Sequence, residues 1–295
     1  MASILITGSS SGFGELTART LLQKGHTVAA TMREPGSRNA QAAMRLQNMA
    51  KETPGTVHIF DLDVTSEPSV RQAVDEALSA MGGIDVVVNN AGYGVGGYME
   101  AVTDAQLLRQ FDVNVFGVQR IMRAVLPIMR HARRGLIVNI SSVMGRIVIP
   151  FAAAYTASKY ALEGLSESYR YELSGTGVDV VLVEPGGFDT NFMVNMAYGE
   201  DQARLEGYGS LAEIPEKMWG SFSKILKGEN APNPQAVADA VLHLIETPAG
   251  SRPLRTVVDP LKGGEDPMAI NRTTDNIQGK LFEGMGMQDL LSVKS

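Results

Sequence analysis

Tyr155 and Lys159 stand four residues apart in the run Tyr155-Thr-Ala-Ser-Lys159. If that segment is helical, both side chains lie on one face, with the ammonium close to the phenol. A tyrosine, titrating at about 10, is a poor base at neutral pH. A neighbouring positive charge favours the phenolate, so the phenol can give a proton to a carbonyl oxygen or take one from an alcohol. Composition alone yields such a pair in about one chain in four, so its weight depends on the residues around it. Ser141 and Ser142 follow the apolar run Leu136-Ile-Val-Asn-Ile140. A hydroxyl at the C-terminal end of a strand is placed to hydrogen-bond a developing oxyanion. Asn114 falls inside the helical pattern 107–131, where Asn is not a favoured residue.

The elements that must position these groups are legible in the hydrophobic pattern. Short apolar runs at 3–7, 27–31, 57–60, 84–88, 136–140, 178–183 and 255–258 predict strands. Several show almost no polar alternation, as in strands covered on both faces. Helical patterns lie between them, near 13–24, 38–51, 67–80, 104–131, 154–173 and 234–246. Strands alternating with helices imply a doubly wound, Rossmann-type α/β fold, a parallel sheet of about seven strands with helices on both faces. Residues 1–259 read as a single domain, with 189–231 as a substrate loop or lid. Residues 260–295 read as an extension without an assigned role, ending in a short helix around 287–293.

The first strand runs into Thr7-Gly8-Ser9-Ser10-Ser11-Gly12-Phe13-Gly14 and then a helix. Glycines let the turn bend and let a pyrophosphate approach the backbone, while the helix N-terminus offers unpaired N–H groups and a positive dipole end. The second strand should end beside the adenine ribose. An NAD-binding chain is expected to carry Asp near position 32, but Met32 and Arg33 stand there. The missing carboxylate removes repulsion against a 2′-phosphate, and a guanidinium binds that group bidentately. NADP is therefore expected over NAD.

Thr7-Gly-xxx-Gly12-x-Gly14, taken with Tyr155-xxx-Lys159, resembles the short-chain dehydrogenase/reductase family in its compact form. The resemblance covers about residues 3–190, and 234–259 more loosely. It implies that Ser142, rather than Ser141, is the catalytic serine. Tyr155 would be the acid/base, Lys159 would tune it and reach the nicotinamide ribose, and Asn114 would hold a water in the proton relay. Gly8, Ser10, Ser11, Gly12, Phe13 and Gly14 would cradle the dinucleotide. Asp63 and Val64 would meet the adenine, and Asn90, Ala91 and Gly92 would lie beside the cofactor. Pro185, Gly186, Phe188 and Thr190 would pass over the nicotinamide, Phe188 through its backbone and Thr190 through its hydroxyl. Tyr93, Met193 and Met196 are candidates for the substrate entrance. Pairing through the helices around 107–131 and 154–173, as a homodimer or homotetramer, is implied as well.

The expected activity is hydride transfer between NADP(H) and a carbonyl or secondary alcohol. The alternative is an NADP-binding sensor or scaffold without chemistry, which would be expected to have lost Tyr155, Lys159 or Ser142. Other classes find little support. The net charge of −6 and pI near 5.3 argue against nucleic acid or anionic lipid as partners. Cysteine is missing, which removes thiolate metal sites and a thiol nucleophile. His26, His58, His131 and His243 show no metal-ligand spacing, and Ser141-Ser142 has no His–Asp partner pattern. No stretch approaches a membrane span, and the first residues read as a strand rather than a signal peptide, so a cytoplasmic protein is expected.

Overall fold

Runs such as Ile4-Leu5-Ile6 and Val86-Val87-Val88 lack polar alternation because both of their faces are covered. The structure, a computed structural model, describes residues 1–262 and 264–294. Its strands are β1 (Ser3–Ile6), β2 (Thr27–Met32), β3 (Thr56–Asp61), β4 (Val86–Asn89), β5 (Val95–Gly96), β6 (Gly135–Ile140), β7 (Val178–Pro185), β8 (Ala197–Tyr198) and β9 (Arg255–Val258). Seven of them form one parallel sheet in the order β3-β2-β1-β4-β6-β7-β9. Successive strand residues point to opposite faces. Ile4, Ile6, Val86, Val88, Val138 and Val183 enter one core cluster, while Leu5, Val87, Ile137 and Val180 enter the other.

The helices are α1 (Gly12–Gln23), α2 (Ala40–Ala50), α3 (Glu67–Met81), α4 (Asp104–Phe111), α5 (Gly117–Ala132), α6 (Ala153–Leu173), α7 (Asn191–Val194), α8 (Gln202–Glu206), α9 (Ile214–Leu226), α10 (Gln235–Glu246) and α11 (Glu265–Met285). Leu21, Leu46 and Val241, from α1, α2 and α10, pack on the first face; Val74, Ile121 and Leu162, from α3, α5 and α6, pack on the second. Each fully buried aliphatic side chain stabilises the fold by about 1.5–3 kcal/mol. The chain leaves β1 outward to β2 and β3, then returns to β4 on the other side. The reversal opens a crevice beyond the carboxyl ends of β1 and β4, where ligands bind in open α/β sheets.

Two helical expectations change. The helix predicted over 104–131 is interrupted by a π-helical turn at Asp112–Phe116. Arg120 supports the break, its Nη2 on Asp112 Oδ1 at 2.6 Å and its Nη1 donating to the carbonyls of Asp112 and Val64. Gly117 admits Val64, whose Cβ would lie 2.9 Å from a methyl added at that glycine. The tail is mostly the 21-residue α11, with only a 3₁₀ turn at Gln288–Leu291 where a terminal helix was expected. Asn271, Thr273, Thr274, Gly279 and Gly284 give α11 weak intrinsic propensity; packing holds it, including Phe282 against Tyr171 at 4.8 Å between ring centroids.

The interrupted helix also holds the loop after β4. Gln110, fully buried, accepts from Val95 N at 2.8 Å and donates to Tyr93 O at 2.7 Å. Gln110→Leu would strand both backbone groups, at about 1–3 kcal/mol each. The expected outcome is a thermal midpoint several degrees lower; an unchanged midpoint would show that the loop is held without this amide.

Candidate active site

The turn between β1 and α1 is fixed from beneath by the end of β4. Thr7 Oγ1 accepts from the N–H groups of Asn90 and Ala91, both at 3.0 Å. Asn90 Nδ2 donates to Thr7 O at 2.9 Å and Gly8 O at 3.0 Å. Asn90 thus shapes the turn with its side chain. Gly8 and Gly12 adopt φ of 71° and 57°, the left-handed region that favours glycine. A Cβ at Gly14 would lie 2.4 Å from both Gly8 O and Asn90 Nδ2. The N-cap Ser11 makes no side-chain bond to the first turn of α1, so among the described residues those N–H groups have no capping side chain. Such a bare, close-approach helix N-terminus fits a dinucleotide pyrophosphate.

Farther along the crevice, Asp63 Oδ1 accepts from Thr65 N at 2.9 Å and Thr65 Oγ1 at 2.7 Å. Burial alone would raise this carboxyl, but those two bonds, with the charges of Arg33 and Arg109, hold it below its ordinary value. Met32 is 1% exposed and belongs to the core, whereas Arg33 is exposed. Arg45 on α2 also reaches the turn, donating to Ser10 O at 3.4 Å while paired with Glu15 at 2.9 Å.

The chemical groups gather at the ends of β6 and β7. Lys159 is 6% exposed; its Nζ donates to Ile140 O at 2.8 Å and lies 5.6 Å from the Tyr155 ring centroid. Ile140 is the last residue of β6, where a carbonyl is free for a side-chain donor. Ser142 Oγ accepts from Met144 N at 3.1 Å and donates to Pro185 O at 3.4 Å. Burial pushes the Tyr155 phenol up to about 12, while the Ser142 hydroxyl favours the phenolate. Burial likewise pushes Lys159 down to about 8, against the charge of Glu163. Ser141 gathers elsewhere: its Oγ and Glu163 Cγ would both lie 2.9 Å from a Cβ at Gly145. Of the two serines, Ser142 is the one beside Tyr155.

The Asn114 side chain joins two elements around Tyr155. Its Nδ2 donates to Tyr93 O at 3.0 Å and Ser158 Oγ at 3.1 Å, and its Oδ1 accepts from Tyr93 N at 3.2 Å. It locks the loop containing Gly92 and Tyr93 to the helix that carries Tyr155.

The family model described as short chain dehydrogenase matches residues 2–201. This chain belongs to that family. It is 39% identical over 259 residues to a 3-ketodihydrosphingosine reductase of Bacteroides thetaiotaomicron, covering 88% of each chain. It is 36% identical over 259 residues to human retinol dehydrogenase 8, covering 83% of this chain and 78% of the relative. Among solved structures, an alcohol dehydrogenase of Thermococcus sibiricus complexed with 5-hydroxy-NADP superposes with a TM-score of 0.67 at 26% identity, over 87% of this chain and 95% of that one.

In this short-chain dehydrogenase the segment after β7 returns over the glycine turn. Thr190 Cβ would lie 3.7 Å from a Cβ at Gly12, and Phe188 packs edge-on against Phe13 at 5.5 Å between centroids. Thr190 Oγ1 caps α7 through Phe192 N at 3.3 Å, while Gly186 abuts Asp259. Met193 and Met196 join Tyr155, Met144 and Trp219 in one apolar cluster.

Three residues near these groups escaped the sequence reading. Phe192 sits with its ring centroid 5.1 Å from that of Tyr155, and only its neighbour Met193 hinted at it. Arg45 carried no local signal. Glu163, one turn beyond Lys159, repeats the four-residue step that links Tyr155 to Lys159. Gly14→Ala tests the turn. The clash displaces Asn90 or the Gly8 carbonyl, an overpacking cost of about 1–3 kcal/mol. Nicotinamide-dinucleotide affinity measured by calorimetry is expected to fall about ten- to hundredfold; wild-type affinity would contradict this role.

Proposed function

We propose that this short-chain dehydrogenase transfers hydride between NADP(H) and a carbonyl or secondary alcohol on an apolar substrate, with Tyr155 as acid/base. The observation that carries the reading is the convergence of Ser142, Tyr155 and Lys159 at the ends of β6 and β7, across the crevice from the glycine turn. The bound dinucleotide supplies the hydride or receives it. Gly8, Ser10, Ser11, Gly12, Phe13 and Gly14 hold the pyrophosphate. Asp63 and Val64 face the adenine, and Asn90, Ala91 and Gly92 line the path between. Pro185, Gly186, Phe188 and Thr190 close over the nicotinamide end.

In reduction, Ser142 Oγ donates to the substrate carbonyl oxygen and the Tyr155 phenol delivers its proton there. Lys159 keeps a positive charge beside the ring, easing departure of that proton. Asn114 would hold a water in the proton relay, while its side chain keeps Tyr93 and Ser158 in place around the pair. The segment 189–231 serves as a lid, and Tyr93, Phe192, Met193 and Met196 form the apolar wall near Tyr155. Methionines make such a wall adaptable. The relatives' names, a reductase of 3-ketodihydrosphingosine and a retinol dehydrogenase, support a long apolar substrate. Exposed Leu108, Phe116 and Tyr160 on the predicted pairing helices support a homo-oligomer.

The choice of NADP rests on the exposed Arg33, the lack of a carboxylate at Met32, and Arg45 at the turn. Charge-assisted bonds to a phosphate contribute about 1.5–3 kcal/mol. Arg33→Ala is therefore expected to weaken NADPH at least about tenfold while sparing NADH, as read by fluorescence titration of both; equal losses would point to NAD.

NADPH oxidation with 3-ketodihydrosphingosine, and NADP⁺ reduction with retinol, test the activity. Tyr155→Phe is expected to lower turnover by about 10²–10⁴ with dinucleotide affinity kept. Because burial holds the phenol protonated far above neutrality and Lys159 loses its charge only near 8, reduction should stay level over about pH 5–7 and fall as Lys159 titrates. A Tyr155→Phe protein as active as wild type overturns the mechanism. Tight NADPH binding without turnover of any carbonyl would instead favour a sensor or scaffold.

A further inference from the structure

Beyond Lys159, α6 carries Glu163 and then Glu167 at further one-turn steps. Both meet Arg255 of β9: Arg255 Nε lies 2.8 Å from Glu163 Oε2, and its Nη2 pairs with Glu167. Glu184 of β7 approaches the same guanidinium at 3.5 Å, and Asp275 of α11 does so at 3.4 Å. α11 closes the cluster further. Asn271 Nδ2 donates to Glu184 Oε2 at 2.8 Å, and Thr274 Oγ1 accepts from Arg146 Nη2 at 2.8 Å. Glu163, Glu184 and Arg255 are almost wholly buried.

Four carboxylates around one buried guanidinium are a poor way to stabilise a fold, since apolar residues of similar volume serve as well or better. Counting Lys159, Arg146 and Arg255 against Glu163, Glu167 and Asp275, the group is neutral when Glu184 is protonated. Burial, then the charge of Glu163, raises the Glu184 carboxyl above its ordinary value, in keeping with that state. Among the described residues Glu163 Oε1 has no hydrogen-bond partner, so only the other oxygen of this carboxylate is engaged by Arg255. Glu163 is also the charge that works against the desolvation of Lys159.

We propose that Glu163 is a positioning residue for Lys159: anchored by Arg255 and enclosed by α11, its carboxylate keeps the buried ammonium charged on Ile140 O beside Tyr155. The tail of the chain thereby acquires a task, completing the charge cluster behind the reacting pair. The consequence for catalysis rests on the proposed function, but the test needs neither substrate nor cofactor.

The full-length protein is labelled with [¹⁵N]lysine and each Nζ is titrated by NMR, the Lys159 signal being identified by its loss in Lys159→Arg. In wild type the Lys159 midpoint is expected near 8. Glu163→Gln keeps an oxygen for Arg255 Nε and should lower the midpoint by about one pH unit, a tenfold loss of proton affinity. Glu167→Gln likewise removes a carboxylate charge from beside Arg255 but should leave Lys159 where it was. Glu163→Asp, which retains the charge one methylene farther off, should give an intermediate fall, and it decides the matter if Glu163→Gln does not fold. An unchanged midpoint in the Glu163 variants, or an equal fall in Glu167→Gln, overturns the proposal.

Discussion

A charged lysine buried at the end of a parallel sheet places strong demands on everything near it. An ammonium removed from water must be paired or hydrogen-bonded, or it surrenders its proton. Lys159 meets that demand with the free carbonyl of Ile140, at 2.8 Å, and with the negative charge one helical turn away at Glu163. The carbonyl is free because β6 ends there. The helix must start close enough to β6 for a lysine in its second turn to return to that strand end. Both conditions depend on register: β6 pairs with β7 from Gly135 opposite Val178 to Ile140 opposite Val183. A slip in this pairing would move the acceptor away from the ammonium.

The topology supplies the remaining parts at the same edge. Thr7 follows β1, Asn90 follows β4, Ser142 lies just past β6, and Pro185 ends β7. Parallel strands bring all their carboxyl ends to one side, so residues far apart in sequence become neighbours without special connections. The interrupted helix α4–α5 is an adjustment to this arrangement. Its π-helical turn accompanies Asn114, whose amide ties Tyr93 to Ser158. On α6 beyond Lys159, Arg255 of β9 and Asp275 of α11 complete the charge cluster that includes Glu163.

The sequence carried this design unevenly. Strand positions, the glycine turn and the Tyr155–Lys159 step were legible because each depends on local periodicity or on conformations that glycine permits. The choice between Ser141 and Ser142 came from family resemblance, and the structure separates them by their neighbours, Glu163 for one and Tyr155 for the other. The break in the helix over 104–131 was not legible, because Asn114 acts through the backbone of Tyr93, a tertiary partner. α11 was hidden for a related reason: its threonines, asparagines and glycines are poor helix formers, and contacts such as Asn271 with Glu184 hold it in place. Arg255 gave no sign of its role, since its partner Glu163 lies 92 residues earlier.

In the proposed mechanism a substrate oxygen is held between two hydroxyls, one on Ser142 and one on Tyr155. A crystal structure of the ternary complex with the oxidised nicotinamide dinucleotide and a bound alcohol tests this most directly. The alcohol oxygen is expected within about 2.6–3.2 Å of both Ser142 Oγ and Tyr155 Oη, with Lys159 still on the carbonyl of Ile140. An alcohol oxygen bound out of reach of Tyr155, with a different side chain as its proton partner, would contradict it.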